Sequence, residues 1–477
     1  CQQSDYKILT MKYEYKTKPF EHQRDALIAG AHKKAYAFLM EMGTGKTKVT
    51  IDNAAFLYQD KQISTLVVIA PNSVYQNWKD ELNTHCPCET NIFMYKIHKE
   101  YKYDDSKLNV VLMNVEAFSH KSGVKYLEDI LKVCGSDVMM VIDESTTIKN
   151  RTAKRTKSLI KLGKLTKYRR ILTGSPVTKS PLDLFAQFEF LGSGLLGTDN
   201  FYVFRARYCV MHDITHESGK RIPIPSFYIN LDELEKKVKE NSFRVLKKDC
   251  LDLKPKVHTK RIVNLKPAQA EAYKELADDA RTIIENDQIS FNNKLTELIK
   301  LAQLCDGFYT SDTGETKDIP SAKLDELLNI LEETDGKVII WANYVRTIEK
   351  IMEALQKKYG TDSTVCIYGK IPAKDRPGII DAFQKDDKVR FFIGNPQTAG
   401  YGLTLTSANT NIYYSNSFNL EHRQQSEDRA HRAGQKGSVL YIDIVAKNTV
   451  DEYILKSLKN KIQISAKTLG EDVFDYL

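Results

Sequence analysis

The chain has 477 residues, 42% hydrophobic and 28% charged, the balance of an ordinary globular protein. That length exceeds what one hydrophobic core supports, so two domains are expected, with room for a third. The net charge of +8 is modest for the size, and no apolar run is long enough to span a bilayer, which excludes a helical membrane protein. The eight cysteines are scattered. Cys86-Pro87-Cys88 lacks the two-residue gap of a zinc site and no second pair with histidines follows, so free thiols in a reducing compartment are expected and zinc is not. Met11 opens a natural start, and residues 1–10 read as a fragment from upstream of it.

In chain order, the first strong signal is Phe38-Leu39-Met40-Glu41-Met42-Gly43-Thr44-Gly45-Lys46-Thr47. An apolar run feeding a glycine-rich turn that ends in Lys-Thr, ahead of a segment able to be helical, is the pattern of a phosphate cradle. Gly43 and Gly45 let backbone N–H groups turn inward; Lys46 can reach β- and γ-phosphates, and the Thr47 hydroxyl can ligate Mg²⁺. The full pattern asks for glycine at position 40, where this chain has Met40. Nearly continuous apolar runs follow at Leu66–Ile69, Val110–Met113, Val138–Ile142 and Ile171–Leu172. In the second half they recur at Val338–Trp341, Val365–Tyr368, Phe391–Ile393, Ile412–Tyr414 and Tyr441–Val445. Runs without polar alternation predict strands covered on both faces, hence parallel sheets flanked by helices. Two such series predict an α/β protein of two lobes. Between them, Leu231–Val245 and Pro267–Leu304 are rich in Glu, Lys, Ala and Leu at helical spacing, which predicts a helical connector or protrusion rather than another sheet.

Val141-Ile142-Asp143-Glu144 ends a strand with two carboxylates, one placed to hold Mg²⁺ through water and its neighbour to polarise an attacking water. Such a pair is common alone; downstream of a phosphate loop it points to NTP hydrolysis. Leu172-Thr173-Gly174-Ser175-Pro176 closes the next strand. An ordinary turn accounts for it, although its hydroxyls can also bond the carboxylate pair and sense a γ-phosphate. From Ser145 to Leu182 there is no Asp or Glu, while Lys149, Arg151, Lys154, Arg155, Lys157, Lys161, Lys164, Lys167, Arg169, Arg170 and Lys179 all fall there. An uncompensated run of this kind predicts a polyanion-facing surface over a merely solvated helix face. Near the end stands Gln425-Ser426-Glu427-Asp428-Arg429-Ala430-His431-Arg432-Ala433-Gly434-Gln435. Arg429 and Arg432 are three apart, so they share a face if helical, and arginines aimed at a polyphosphate stabilise charge developing in γ-phosphate transfer. A salt-bridged surface helix explains the arginines alone equally well. His431 reads as a polar-network residue rather than a metal ligand.

This ordered set resembles the Swi/Snf-like ATPases of helicase superfamily two, from about Phe20 to Ile454. Pro19-Phe20-Glu21-His22-Gln23 resembles the glutamine motif, which implies an adenine contact for Gln23. The phosphate loop of that family also lacks the first glycine, so Met40 fits, and the resemblance assigns Met42, Gly43, Thr44, Gly45, Lys46 and Thr47 to the nucleotide. Asp143 and Glu144 match the magnesium-and-water motif, with Thr47 and Asp143 implied for the metal. Leu172 to Pro176 matches the coupling motif, giving Thr173 and Ser175 that role. After Asp143-Glu144 the family usually continues Ala-His-Arg, whereas Ser145-Thr146-Thr147 stands here, so Thr146 is expected to hydrogen-bond in the histidine's place. Pro71, Asn72, Asn114, Lys149, Arg151 and Thr404 fall where the family meets the DNA backbone. Gly400-Tyr401-Gly402-Leu403-Thr404 resembles the motif linking that groove to the ATP cleft, and Gly402 is implied at the nucleotide. Gln425, Arg429 and Arg432 belong to the closing signature and are implied in catalysis. Phe243–Asp249 resembles the basic segment joining the lobes, and Ser321-Ala322-Lys323-Leu324 the helix start of the second.

The resemblance implies two tandem RecA-like lobes, expected at 11–230 and 321–477, with a helical connector or protrusion at 231–320. It implies ATP and Mg²⁺ as cofactors, and movement along double-stranded DNA as the activity, remodelling DNA or displacing proteins bound to it. A monomer on DNA is expected, in a cytoplasm of bacterial or phage-infected type, without a membrane. Two alternatives stay open: a strand-separating DNA or RNA helicase, and an ATP-switched factor that remodels a protein partner.

Overall fold

The computed structural model describes residues 13–72, 75–98, 100–215, 221–285, 291–311, 314–399, 403–435 and 437–471; the upstream fragment expected at 1–10 lies outside them. Contacts divide the chain into two units, one of Cys1–Val210, Phe227–Asp252 and Ile464–Asp472, the other of Met211–Ser226, Leu253–Gln463 and Val473–Leu477. The expected boundaries were simpler. Two segments beyond residue 226 group with the first unit, and the reason lies in strand pairing and in a packed helix end, both given below.

The first unit is built on strands β1 (Ala35–Met40), β2 (Thr65–Ala70), β3 (Thr90–Met94), β4 (Leu108–Asn114), β5 (Val138–Asp143) and β6 (Tyr168–Leu172). The pair β7 (Cys209–Thr215) and β8 (Arg221–Tyr228) forms a small sheet of its own, most of it grouped with the second unit, and β9 (Ser242–Val245) returns to the main sheet of the first. The main sheet has the order β3-β4-β2-β5-β6-β1-β9, with every pairing parallel. Alternate residues supply two separate cores. Ala37, Leu39, Val67, Ile69, Met140 and Ile142 pack on one face against Leu127 and Ile130 of the helix Lys121–Cys134 and Leu159 of the helix Lys154–Gly163. Phe38, Met40, Leu66, Val68, Met139 and Val141 pack on the other against Val49 and Ala54 of the helix Lys46–Gln59 and Trp78 of the helix Tyr75–His85. Burial on both faces is why these strands read as unbroken apolar runs.

The second unit carries β10 (Lys256–Val263), the small antiparallel pair β11 (Phe308–Thr310) and β12 (Thr316–Asp318), and β13 (Lys337–Trp341), β14 (Thr364–Ile367), β15 (Phe391–Gly394), β16 (Ala408–Tyr413) and β17 (Val439–Ala446). Its parallel sheet has the order β10-β17-β16-β13-β15-β14. Val338, Ile340, Ile393 and Ile412 face one core, and Ile339, Trp341, Phe392 and Tyr413 the other.

The α/β fold with two parallel sheets stands as expected. The connector differs in part. The segment from Leu231 is helical only to Glu240 and then becomes β9, which pairs with β1 through Ala37↔Ser242 to Met40↔Val245. Leu253 onward contributes β10, an exposed edge strand paired with β17 over eight residues. Its sequence, Lys-Val-His-Thr-Lys-Arg-Ile-Val, has no unbroken apolar run because an edge strand is covered on one side only. Helices at Pro267–Glu285 and Phe291–Asp306 follow as expected, and the small pair β11 and β12 ends the connector.

Candidate nucleotide-binding site

All pairings in the first sheet being parallel, β1, β2, β4, β5 and β6 end at one edge, the edge at which open α/β sheets bind ligands. Met40, Ala70, Asn114, Asp143 and Leu172 are their last residues, so the sequence motifs that follow them meet there. The turn Glu41–Gly45 leads from β1 into the helix Lys46–Gln59, whose N-cap is Gly45 at φ 88°. Gly43 has φ 87°. Both values lie in the region that favours glycine. At Gly45 space demands it too, because a Cβ there would lie 2.2 Å from Gln23 Nε2. Thr44 Oγ1 donates to the Glu41 carbonyl at 2.7 Å. The Thr44 carbonyl accepts from Gln23 Nε2 at 3.1 Å and lies 2.8 Å from His22 Nε2. Gln23 Oε1 accepts from the Phe20 N–H at 3.0 Å. Gln23 therefore ties the loop, through its amide nitrogen, to the start of its own helix, held through its amide oxygen; His22, given no role from sequence, also contacts the loop at the Thr44 carbonyl.

Asp143 is buried, with one carboxylate oxygen accepting from Trp78 Nε1–H at 2.8 Å and the other from the Glu144 N–H at 2.9 Å. Burial pushes this carboxyl above its ordinary value, while the Lys46 ammonium and the two donors pull it back. Glu144 has φ 49° and ψ 62°, a left-handed backbone at a residue that is not glycine. Such strain persists only where surrounding structure enforces it, and it gathers at functional sites. The donor set suits a magnesium-bound triphosphate: one buried carboxylate on Asp143, the Thr47 hydroxyl and the Lys46 ammonium. No group of three or more His, Cys, Asp or Glu side chains able to hold a metal occurs among the described residues.

The expected coupling loop lies directly on the phosphate loop. A Cβ at Gly174 would sit 3.1 Å from Glu41 Cα and 3.2 Å from the Met42 nitrogen. Thr173 Oγ1 accepts from the Ser175 N–H at 3.2 Å. Thr146 is buried in the turn Ser145–Ile148. The link between that turn and the coupling loop runs through Gln187, which sequence reading missed. Ser145 Oγ donates to Gln187 Oε1 at 2.7 Å, and Gln187 Nε2 donates to the Pro176 carbonyl at 2.8 Å. The signal was one glutamine inside the apolar stretch Leu184-Phe185-Ala186-Gln187-Phe188, fully buried and so obliged to find partners.

In the second unit the helix Leu420–Glu427 stops before the arginines, and Asp428–Gly434 continues as turns. The helical-face argument for Arg429 and Arg432 therefore does not apply; the chain brings them together in another way. Both donate to the Leu403 carbonyl at 3.1 Å, and Arg432 Nη1 also donates to Thr404 Oγ1 at 2.9 Å. Arg429 Nε donates to the Gln425 carbonyl at 2.8 Å. Gln425 is buried, and its Oε1 has no partner among the described residues, leaving an acceptor for water or ligand. His431 Nε2 lies 2.9 Å from the Lys254 carbonyl, a polar-network position. Gly402 lies outside the described residues.

The SNF2-related domain model matches residues 32–309, more than half of the chain, and the helicase conserved C-terminal domain model matches residues 322–434. The chain belongs to the SNF2-related family. A SWI/SNF-related matrix-associated actin-dependent regulator of chromatin subfamily A-like protein 1 homolog from Caenorhabditis elegans is 28% identical over 462 residues, covering 95% of this chain and 62% of that protein. The DNA annealing helicase and endonuclease ZRANB3 of Mus musculus is 27% identical over 465 residues, covering 95% and 41%. An uncharacterized ATP-dependent helicase of Mycoplasma genitalium, MG018, is 28% identical over 441 residues, covering 91% and 40%. The chain thus spans less than two thirds of the length of these curated relatives.

Within this SNF2-related chain, the residues expected at DNA sit as follows. Pro71 and Asn72 follow β2, and Asn114 ends the neighbouring β4, where Ala70 and Asn114 are paired. Asn114 Nδ2 donates to Glu116 Oε2 at 3.1 Å. Lys149 Nζ donates to Thr178 Oγ1 at 2.8 Å, so it braces the coupling loop's continuation. The Arg151 guanidinium lies 4.2 Å from the Phe201 ring centroid and 5.1 Å from that of Tyr202. Thr404 is held by Arg432. Among the described residues, no helix is long and apolar enough to cross a membrane.

Proposed function

We propose that this chain is an ATP-driven motor that moves along double-stranded DNA without separating its strands, remodelling the duplex or displacing bound proteins. The observation that carries the reading is the meeting, at one sheet edge, of the Lys46 loop, the buried Asp143 carboxylate and the strained Glu144. Membership of the SNF2-related family places it among ATP-hydrolysing, helicase-like enzymes, and DNA stands in the printed name of one relative and chromatin in that of another.

Thr47 and Asp143 would hold a magnesium ion, which would supply neutralisation of the phosphate charge. The loop N–H groups and the Lys46 ammonium hold the phosphates at the start of the helix Lys46–Gln59. Thr47 and Asp143 supply the oxygen ligands, and Trp78 fixes the Asp143 carboxylate so that it does not turn away. Glu144 orients the attacking water and takes its proton. To Arg429 and Arg432 we assign the stabilisation of charge developing in γ-phosphate transfer, a task for which a permanently charged guanidinium suits. Movement follows from alternating grip on the DNA backbone, through Pro71, Asn72, Asn114, Lys149, Arg151 and Thr404, contacts that carry no sequence information. We read the chain as a member of bacterial or phage type, working as a monomer on DNA in a cytoplasm.

Lys46→Ala and Glu144→Gln are expected each to abolish duplex-stimulated ATP hydrolysis, measured as phosphate release. Near-wild-type turnover in both would overturn the assignment. Stimulation by a protein partner but not by naked duplex would favour the protein-remodelling alternative instead.

A further inference from the structure

Arg244 in β9 stands at the root of the phosphate loop. Its Nη1 donates to the Leu39 carbonyl at 3.1 Å and to the Gly174 carbonyl at 2.7 Å. Leu39 belongs to the strand that delivers the loop, and Gly174 is the centre of the coupling loop lying against Glu41 and Met42. One guanidinium thus ties together the backbones of two loops whose relative position sets the ATP site. The remaining edge of the guanidinium meets a carboxylate, a stronger, charge-assisted bond: Arg244 Nε donates to Glu471 Oε1 at 2.6 Å, in an ion pair whose side chains are 19% and 7% exposed.

Glu471 comes from 227 positions further along the chain, yet its placement is not loose. The helix Val450–Leu469 ends with Gly470 at φ 68°. The Glu471 N–H donates to the Ala466 carbonyl at 2.9 Å. This is the six-to-one bond of a Schellman cap, with glycine where the left-handed conformation is needed. Leu469 is buried in the same core as Leu234 and Val238 of the helix Leu231–Glu240. A Cβ at Gly470 would lie 2.1 Å from Glu235 Oε1, so the turn is pressed onto that helix. The anchored cap aims Glu471 at Arg244, and a nearly buried pair in this setting repays its desolvation through the further hydrogen bonds to Leu39 and Gly174.

We propose that Glu471 and Arg244 are positioning residues for ATP hydrolysis: the carboxylate at the end of the last helix orients Arg244, which holds the coupling loop on the phosphate loop. The proposal rests on the ATPase reading given above. It makes the last described turn of the chain part of the first unit's working parts rather than a packing accessory.

The test is steady-state hydrolysis by the full chain with saturating duplex, separating kcat from the KM for ATP, beside thermal melting. Glu471→Gln is expected to lower kcat about fivefold to tenfold with KM changed less than about twofold, the signature of an interaction that matters in the transition state. Glu471→Asp should recover part of the loss. In an Arg244→Gln background, Glu471→Gln should have no further effect on kcat, because the carboxylate then has nothing to orient. Independent, additive losses in the double variant would overturn the proposal, as would a wild-type kcat in Glu471→Gln or a loss accompanied by a matching fall in Tm. Lys46→Ala in the same assay separates the two readings: if it is inactive while Glu471→Gln is normal, only the positioning role fails.

Discussion

Asp143 keeps a carboxylate where water is nearly excluded, held by Trp78, the Glu144 N–H and the nearby Lys46 ammonium. Burial outweighs these three, so its pKa lies above the ordinary value. In the folded protein alone, this raised pKa means the group costs stability once ionised, a cost that grows as pH climbs from the unfolded value of about 3.9 toward the folded one. A bound cation or the loss of a donor moves it in opposite directions. Trp78→Phe removes one donor and keeps the ring, so the pKa should rise further, and the acid limb of kcat/KM against pH should shift to higher pH. The plateau at high pH should fall by no more than about 150-fold, since one hydrogen bond to a charged group is worth about 3 kcal/mol at most and each 1.4 kcal/mol is a factor of ten. An acid limb that stays put or moves to lower pH would separate Trp78 from the ionisation that matters. The neighbouring Glu144 has a left-handed backbone at φ 49°, and its strain fits a side chain held for a purpose.

At the scale of elements, the strands that carry the site were legible because burial on both faces leaves no polar alternation: Val138–Ile142 and Val338–Trp341 both stand as expected. The phosphate loop was legible for a different reason, since Gly43 and Gly45 are needed for backbone conformations that few other residues adopt. Three features escaped. β9 is four residues long and owes its existence to pairing with β1, a partner about 200 positions away that local periodicity cannot reveal. Gln187 joins Ser145 to Pro176 from a helix that sequence pattern reads as plain core. Replacing it with leucine, nearly the same volume, should leave the KM for ATP near wild type while reducing the duplex-stimulated rate several-fold; an unchanged stimulation would make the link a mere satisfied core polar group. Arg429 and Arg432 converge through turns, where a helix was the expected frame. In the second unit, Lys323 follows the N-cap Ser321 and is fully buried between Asp306 at 2.9 Å and Asp451 at 3.0 Å. Lys323→Met strands two buried carboxylates, so the unit should lose about 3–5 kcal/mol. A fall in its denaturant midpoint checks this; a midpoint equal to wild type would mean the carboxylates take up protons at little cost.

For the whole molecule the proposed movement along a duplex has to be tested, and charge placement decides what to measure. The net charge of +8 is small, but the acid-free stretch from Ser145 to Leu182 concentrates basic side chains just after the Asp143-Glu144 pair. Binding through phosphates releases counterions, so if about six phosphates are neutralised, affinity for duplex should fall roughly 10³-fold between 50 and 200 mM salt. A flat salt response would place the grip elsewhere than on the backbone. Phosphate contacts give hold without reading bases, so they serve movement along any sequence. Moving along a duplex and opening it separate in a paired assay with ATP: displacement of a third strand from a triplex, and release of a labelled strand from a tailed duplex. Triplex displacement without strand release is the expected result. Strand release at a comparable rate would replace the translocase by a strand-separating helicase, with the ATP site at Lys46, Asp143 and Glu144 unchanged in either case.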